Sequence, residues 1–165
     1  MLDRPQILAE LARTRTQPVD VEELRSLGFP PHYLALVAEV GVQEIAPDFL
    51  MPTSMHVAVE NLRNAKRLGS YLVFGVSASG DMWLLDKDPS RDRVAFLPQE
   101  EESGPRVELG IGLDQWFELA LFMRTHEAAK ARAKSESEKR ALKARAKKFI
   151  ETMSRTLAEA YPYLL

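Results

Sequence analysis

Four short apolar segments follow one another closely in the middle of the chain, and they constrain the fold more than any other feature. They comprise residues 71–76, 81–86, 93–97 and 106–111. The first of them, Tyr71-Leu-Val-Phe-Gly-Val76, is rich in β-branched and aromatic residues. The connections between the segments are too short for the crossover helix that parallel pairing requires. The sequence therefore predicts an antiparallel meander of β-strands.

Helical patterns precede this meander. Apolar spacing predicts short helices over residues 5–14, 21–27 and 31–40, and Gly41 closes the last of them. Ser54 is expected to cap a further helix in which Val57, Leu62 and Ala65 form one side. Residues 44–53 contain two prolines and are expected to form an irregular strand or a loop.

A long helical pattern follows the meander. Asp114 begins it, and from Glu127 onward the chain is almost entirely Ala, Lys, Arg and Glu, which are good helix formers. The predicted fold class is α+β: an antiparallel meander sheet flanked by helices, with a long basic C-terminal helix. We divide the chain into an N-terminal helix (1–17), an α+β domain (18–123) and a basic helical extension (124–165).

Charge is distributed unevenly along the chain. Residues 1–123 hold 11 Lys and Arg against 19 Asp and Glu, a net charge of −8, whereas residues 124–148 hold 10 against 3, a net charge of +7. The whole chain of 165 residues carries only −2. Such asymmetry suggests that the two parts have separate roles, or that one lies against the other or against a partner.

The extension allows three interpretations. First, its apolar residues at helical spacing could pack on the acidic body or on another subunit; they are Leu142, Ala146, Phe149, Ile150, Met153, Leu157 and Tyr161. Second, it could be a solvated spacer. Third, the basic side chains of residues 130–148 could bind nucleic acid by neutralising phosphates.

Residues 29–123 resemble the SUKH superfamily, a domain named after yeast Smi/Knr-type regulators. Phe29-Pro-Pro-His-Tyr-Leu-Ala-Leu-Val-Ala-Glu-Val-Gly41 is similar to the family's leading "LP-x-x-Y" helix with its closing glycine. Tyr71-Leu-Val-Phe-Gly-Val-Ser-Ala-Ser-Gly-Asp-Met-Trp-Leu-Leu-Asp86 is similar to its central hairpin. Residues 93–97 and 113–121 match its last strand pair and closing helix, whereas residues 124–165 have no counterpart.

This resemblance implies a function. Bacterial members of the family are, by and large, immunity proteins that bind and block toxins used between competing cells, and many of those toxins are nucleases or deaminases. The resemblance implies a non-enzymatic protein-binding module without a cofactor, most simply an immunity protein. The alternative is a scaffold or nucleic-acid-associated protein that acts through the basic helix.

Acidic residues at the ends of the predicted strands are candidates for partner binding. A surface of this kind keeps a sheet from pairing edge to edge, or it complements a basic partner such as the nucleic-acid cleft of a nuclease. Trp83 is either part of the core or an exposed aromatic anchor for the same interface. The candidate partner-binding residues are Asp81, Trp83, Asp86, Asp88, Asp92, Glu100, Glu101 and Glu102.

Catalytic and metal-binding patterns are weak. The chain has no cysteine, and its three histidines are widely separated, which argues against a zinc site. Residues 75–80 have the glycine outline of a phosphate loop but lack its lysine, and residues 86–97 lack the glycine and glutamate of a calcium loop. We predict no enzymatic activity, no metal and no cofactor.

The sequence also predicts a location. No apolar stretch approaches the about 20 residues needed to cross a bilayer, so no membrane partner is expected. The N-terminus has an acid where a signal peptide carries positive charge. We therefore expect the chain in the cytoplasm.

Overall fold

A computed structural model describes residues 2–14, 16–99 and 105–161. In this part of the chain there are eight helices and six strands. The helices are α1 (Arg4–Leu11), α2 (Val21–Ser26), α3 (Pro31–Val40), α4 (Ser54–Arg63), α5 (Ala65–Leu68), α6 (Leu113–Arg132), α7 (Glu136–Met153) and α8 (Arg155–Ala160). The strands are β1 (Glu44–Ala46), β2 (Phe49–Leu50), β3 (Tyr71–Val76), β4 (Met82–Asp86), β5 (Val94–Leu97) and β6 (Val107–Ile111).

The strands form one antiparallel sheet in the order β1-β2-β3-β4-β5-β6. This confirms the predicted α+β class and its meander. The segment expected to be an irregular strand or a loop is the short hairpin β1–β2, and β1 is one edge of the sheet. The other edge strand is β6.

Both faces of the central strands are apolar, which explains their continuous hydrophobic runs. On one face, Leu72, Phe74 and Trp83 belong to the main core together with Trp116 of α6 and Tyr33 of α3. The opposite face holds a second, smaller cluster: Leu68, Tyr71, Val73, Met82, Leu84, Ala95 and Leu97.

The basic extension differs from the single long helix that the sequence suggested. Helix α6 ends at Arg132, and the chain resumes as α7 after an extended connection, in which Ser135 caps the new helix by accepting a hydrogen bond from Glu138 N. Helix α7 then lies back along α6, where the rings of Phe122 and Phe149 stack with centroids 3.9 Å apart. A third helix, α8, packs on the edge strand β6.

The apolar stripe of the extension faces the body of the same chain. Ile150 and Leu157 are fully buried, and they join the core cluster that contains Ile7 of α1. The three predicted segments of the chain therefore contribute to one hydrophobic core. Of the helices in the described ranges, none combines the length and apolar character that crossing a membrane requires.

Candidate functional site

The structure does not gather the predicted acidic residues into one surface. Asp81 precedes β4 and Asp86 ends it, so the two lie at opposite ends of a strand roughly 16 Å long at about 3.3 Å per residue. Residues 86–93 contain three acids and three bases, which leaves that loop with no net charge. Glu100, Glu101 and Glu102 lie outside the described residues.

Asp81 closes the β3–β4 turn. Its Oδ2 accepts hydrogen bonds from Ser79 Oγ at 2.9 Å and from Ser77 Oγ at 3.2 Å. Its Oδ1 accepts from the backbone N–H of Gln99 at 2.9 Å. The Asp81 carboxylate thus connects the β3–β4 turn to the segment that follows β5.

The acids at the other end of β4 also hold turns and a helix start. Asp86 is 1% exposed and accepts from Asp88 N, so it is unavailable to a partner and the interface assignment for it is wrong. Asp88 accepts from the backbone and hydroxyl of Ser90, and these bonds lower the pKa of its carboxyl. Asp92 accepts from Leu113 N at the first turn of α6.

Trp83 is a core residue, which corrects its assignment as a possible interface anchor. Its side chain has no exposed surface, and its ring stacks on Phe49 with centroids 5.0 Å apart. Its Nε1–H donates to Asp48 O at 2.7 Å. The space for the indole comes from Gly75 opposite, since a Cβ at that position would lie 3.2 Å from both Trp83 and Trp116.

An exposed apolar stripe lies on α4, a helix that contains none of the sequence-predicted site residues. Met55, Val59 and Leu62 are 73%, 46% and 82% exposed. They follow one another at helical spacing and share one face of the helix. We call them the α4 stripe. Among the described residues, the structure has one other exposed large hydrophobic side chain, Leu2.

The opposite side of α4 attaches the helix to the sheet. Val57 is fully buried, and Asn61 accepts from Val73 N at 3.1 Å while donating to Val57 O at 2.8 Å. The apolar pattern of the sequence predicts Val57 and Leu62 on one side of this helix. This is wrong because five residues turn an α-helix by about 140° beyond one full turn.

A cavity of about 880 Å³ adjoins the first turn of α4. The residues around it come from the segment after α1, the β1–β2 hairpin and its flanks, the start of α4, the end of β3 and the middle of α6. They are Thr14, Gln17, Val42, Gln43, Glu44, Ile45, Ala46, Pro47, Leu50, Met51, Pro52, Thr53, His56, Val76, Arg124 and Glu127. Since Thr53 and His56 line it and Met55 begins the stripe, the cavity and the α4 stripe are neighbouring features.

Some polar side chains that line this cavity have hydrogen-bond partners, and others do not. Arg124 donates to Thr14 Oγ1 at 2.8 Å and pairs with Glu10 at 3.3 Å. Gln43 is 4% exposed, and its Oε1 has no hydrogen-bond partner within the part of the chain that the structure describes. Close by, burial raises the pKa of the Asp48 carboxyl, and the charges of Glu127 and Asp81 raise it further.

Metal-binding geometry is absent from the described ranges, where no three His, Asp or Glu side chains are grouped so as to hold an ion. No family model, curated protein or solved structure matches the chain.

Proposed function

We propose that this chain is a non-enzymatic protein-binding module, and specifically a cytoplasmic immunity protein of the SUKH kind that binds and occludes a cognate bacterial toxin. The α4 stripe carries the proposal. Three large apolar side chains exposed on one helical face cost free energy in water, and such surfaces are typical of sites that become buried against a protein. The proposed toxin presents an apolar groove to this helix.

Charged side chains border the α4 stripe and form a polar rim around it. Lys66 is exposed beyond the C-terminal end of α4, and Arg63 pairs with Glu60 at 3.0 Å while its side chain stays 71% exposed. An apolar centre with a charged, wet border is the usual anatomy of a specific interface. We expect the toxin to place carboxylates opposite these two cations.

The positions of the family-like motifs also support the proposal. Tyr33 of the leading helix is fully buried, stacks on Phe29 and meets Phe74 of the central hairpin edge to face. Gly41 ends that helix with φ +68°, and a Cβ there would lie 2.6 Å from Gln17 O. Tyr33, one of the residues on which the resemblance depends, therefore lies where the leading helix packs on the hairpin, and Gly41 lies where a larger residue would meet the backbone of Gln17.

The decisive experiment is a pull-down from nuclease-treated native lysate at moderate and high salt, followed by co-expression. The expected result is one stoichiometric protein that is retained at high salt and whose toxicity this chain relieves. Leu62→Ser and Val59→Ser should abolish both retention and protection, with thermal stability nearly unchanged because both side chains are exposed.

Leu2→Ser is the matched control, because Leu2 is also an exposed large hydrophobic residue but lies off the stripe. It should keep full protection. A toxin that is still captured and neutralised by the doubly substituted stripe would refute the proposed interface. Recovery of nucleic acid alone, lost at high salt, would refute the immunity function.

A second candidate function is nucleic-acid binding by α7. Arg140, Lys143 and Lys147 lie along one flank of this helix and are exposed, and Lys147 lies 4.0 Å from Glu151. If this flank binds phosphates, Arg140→Glu with Lys143→Glu should weaken duplex binding and reduce its salt dependence. Fluorescence anisotropy with a labelled duplex measures both, and Arg155→Glu on α8 is the control.

A further inference from the structure

A groove lies between the end of α6 and the first turns of α7, in the basic extension. Its volume of about 530 Å³ falls within the range of ligand-binding clefts, roughly 300–1,000 Å³. It is therefore large enough to hold a side chain of another molecule. We call it the extension groove, and its lining residues are Ala129, Arg132, Ala133, Glu138, Ala141, Leu142 and Arg145.

Leu142 is the large apolar side chain of this groove. In the part of the chain that the structure describes, it belongs neither to the core cluster, as Ile150 does, nor to the half-buried side chains that pack against that cluster, as Phe149 does. It is half-buried, and its neighbours Ala129 and Ala133 each present only a methyl group. The leucine thus keeps apolar surface in contact with water, and an apolar group from a partner would cover it favourably.

Two guanidinium groups accompany the leucine. Arg132 and Arg145 are exposed, and neither is ion-paired among the described residues, whereas nearby lysines pair with glutamates of their own helices. Arg145 lies over the ring of Phe122, with Cζ 6.0 Å from the centroid, a contact that involves no acceptor oxygen. Both groups therefore have N–H donors left for an anion, and a carboxylate matches their planar geometry.

The carboxylate in the lining of the groove does not neutralise these arginines. Oε2 of Glu138 accepts from the backbone N–H of Lys134 at 2.6 Å and from that of Ser135 at 3.2 Å. Glu138 also lies in the first turn of α7, where the helix dipole offsets its negative charge. The extension groove is therefore apolar at Leu142 and positively charged around it.

We propose that the extension groove binds an acidic segment of a protein partner, in which an apolar side chain packs on Leu142 while a neighbouring carboxylate pairs with Arg132 or Arg145. Such a segment is complementary to the groove in charge and in apolar character. Nucleic acid matches only the charge, because the lining residues include no aromatic ring on which a base could stack. This interface uses helices other than α4, so it goes beyond the proposed function and its test needs no toxin.

The test titrates synthetic peptides into the full ¹⁵N-labelled chain at about 0.15 M salt, where exposed charges more than about 8 Å apart are largely screened. Acetyl-Glu-Glu-Leu-Glu-amide should give saturable shifts centred on Ala133 and Leu142. Two control peptides should each bind at least fivefold more weakly: one has serine in place of leucine, and the other has glutamine in place of every glutamate. Equal binding of the leucine and serine peptides, or no saturable shift with the first peptide, would overturn the proposal.

Paired substitutions test the charged contacts. Arg132→Gln with Arg145→Gln should weaken binding of the leucine peptide at least fivefold. Arg140→Gln with Lys143→Gln is the matched control, because it also removes two exposed positive charges, but from a flank of α7 that does not line the groove. This control should change binding less than twofold. Equal weakening by the two pairs would refute the groove as the binding site, because net charge alone would then account for binding.

Leu142→Ser tests the apolar contact. In this variant the leucine and serine peptides should bind equally well, with circular dichroism confirming that the helices are retained. A preference for leucine that survives the substitution would place the apolar contact elsewhere and refute the assignment. A duplex oligonucleotide that displaces the leucine peptide and reproduces its shifts would assign the groove to nucleic acid and overturn the proposal.

Discussion

Ser154 joins the last two helices to the edge of the sheet, and its removal should cost more than an ordinary helix cap. Its hydroxyl accepts a hydrogen bond from Leu157 N at 3.3 Å, which caps α8. The same hydroxyl donates to Leu109 O at 2.9 Å on the edge strand β6. Leu109 is 1% exposed, so this contact lies in a part of the edge that is shielded from water.

The expected magnitude follows from these two contacts. Replacing a serine cap by alanine costs about 1 kcal/mol, and losing a hydrogen bond to a shielded carbonyl costs about 1 kcal/mol more. Ser154→Ala should therefore lower the free energy of unfolding by about 2 kcal/mol. For a chain of this size that corresponds to a fall in melting temperature of roughly 4–8 °C.

Ser135→Ala is the matched control. Ser135 caps α7 by accepting from Glu138 N at 3.2 Å, but it is exposed and its hydrogen bonds stay within its own helix start. Its loss should cost only about 1 kcal/mol. Urea unfolding followed by circular dichroism measures both variants. Equal destabilisation of the two would refute the reasoning, because the bond from Ser154 to Leu109 would then contribute nothing.

Three further perturbations test other parts of the structure. Gly110→Ala should destabilise by roughly 2 kcal/mol in urea unfolding, because φ is +66° and the new Cβ would lie 2.8 Å from Ser154 Oγ; the cost should shrink when Ser154→Ala is also present. Trp83→Phe should lower stability by about 1–3 kcal/mol through loss of the 2.7 Å bond to Asp48 O, and it should leave toxin capture intact. Asp48→Asn should raise the melting temperature at pH 7, because the folded state raises the pKa of this carboxyl and its ionisation therefore opposes folding. The gain in melting temperature should vanish below about pH 4, where the Asp48 carboxyl is protonated in the folded and the unfolded state. A gain from Asp48→Asn that persists in acid would contradict that sign.

The sheet was predictable because its determinants are local. Each connection in the meander is short, and residues 71–76 have the composition of a strand buried on both faces. The break between α6 and α7 was harder to see, since alanine, lysine and glutamate all favour continuing the helix. Ser135 and Glu138 nevertheless form a capping box, and that spacing is a readable signal for a new helix start.

Most features of the candidate site could not be predicted from the sequence, and the physical reason differs from one feature to the next. The exposure of Leu62 depends on which face of α4 the sheet covers, and the side chain of Asn61 sets that face through a long-range bond to Val73. The unpartnered state of Gln43 is a property of the surrounding packing, and no local pattern encodes it. The acidic residues at the strand ends are easily found in the sequence, but Asp86 and Asp88 each accept a hydrogen bond from the backbone N–H two residues ahead. Aspartate commonly stabilises turns in this way, so these residues have a structural role.

The basic extension docks on the acidic body mainly through apolar contacts, although the two parts of the chain carry opposite net charge. Helix α7 is held by its apolar residues, including the Phe149 ring on Phe122, while the ion pairs described for α7, Lys139–Glu136 and Lys147–Glu151, lie within the helix. Opposite charge therefore contributes little to docking, and the basic flank of α7 stays available to other molecules. Because the docking contacts do not use this flank, charge reversals on it should leave toxin capture by the α4 stripe unchanged. The nucleic-acid test on α7 and the toxin-capture test on the α4 stripe then report on two different surfaces of the same chain.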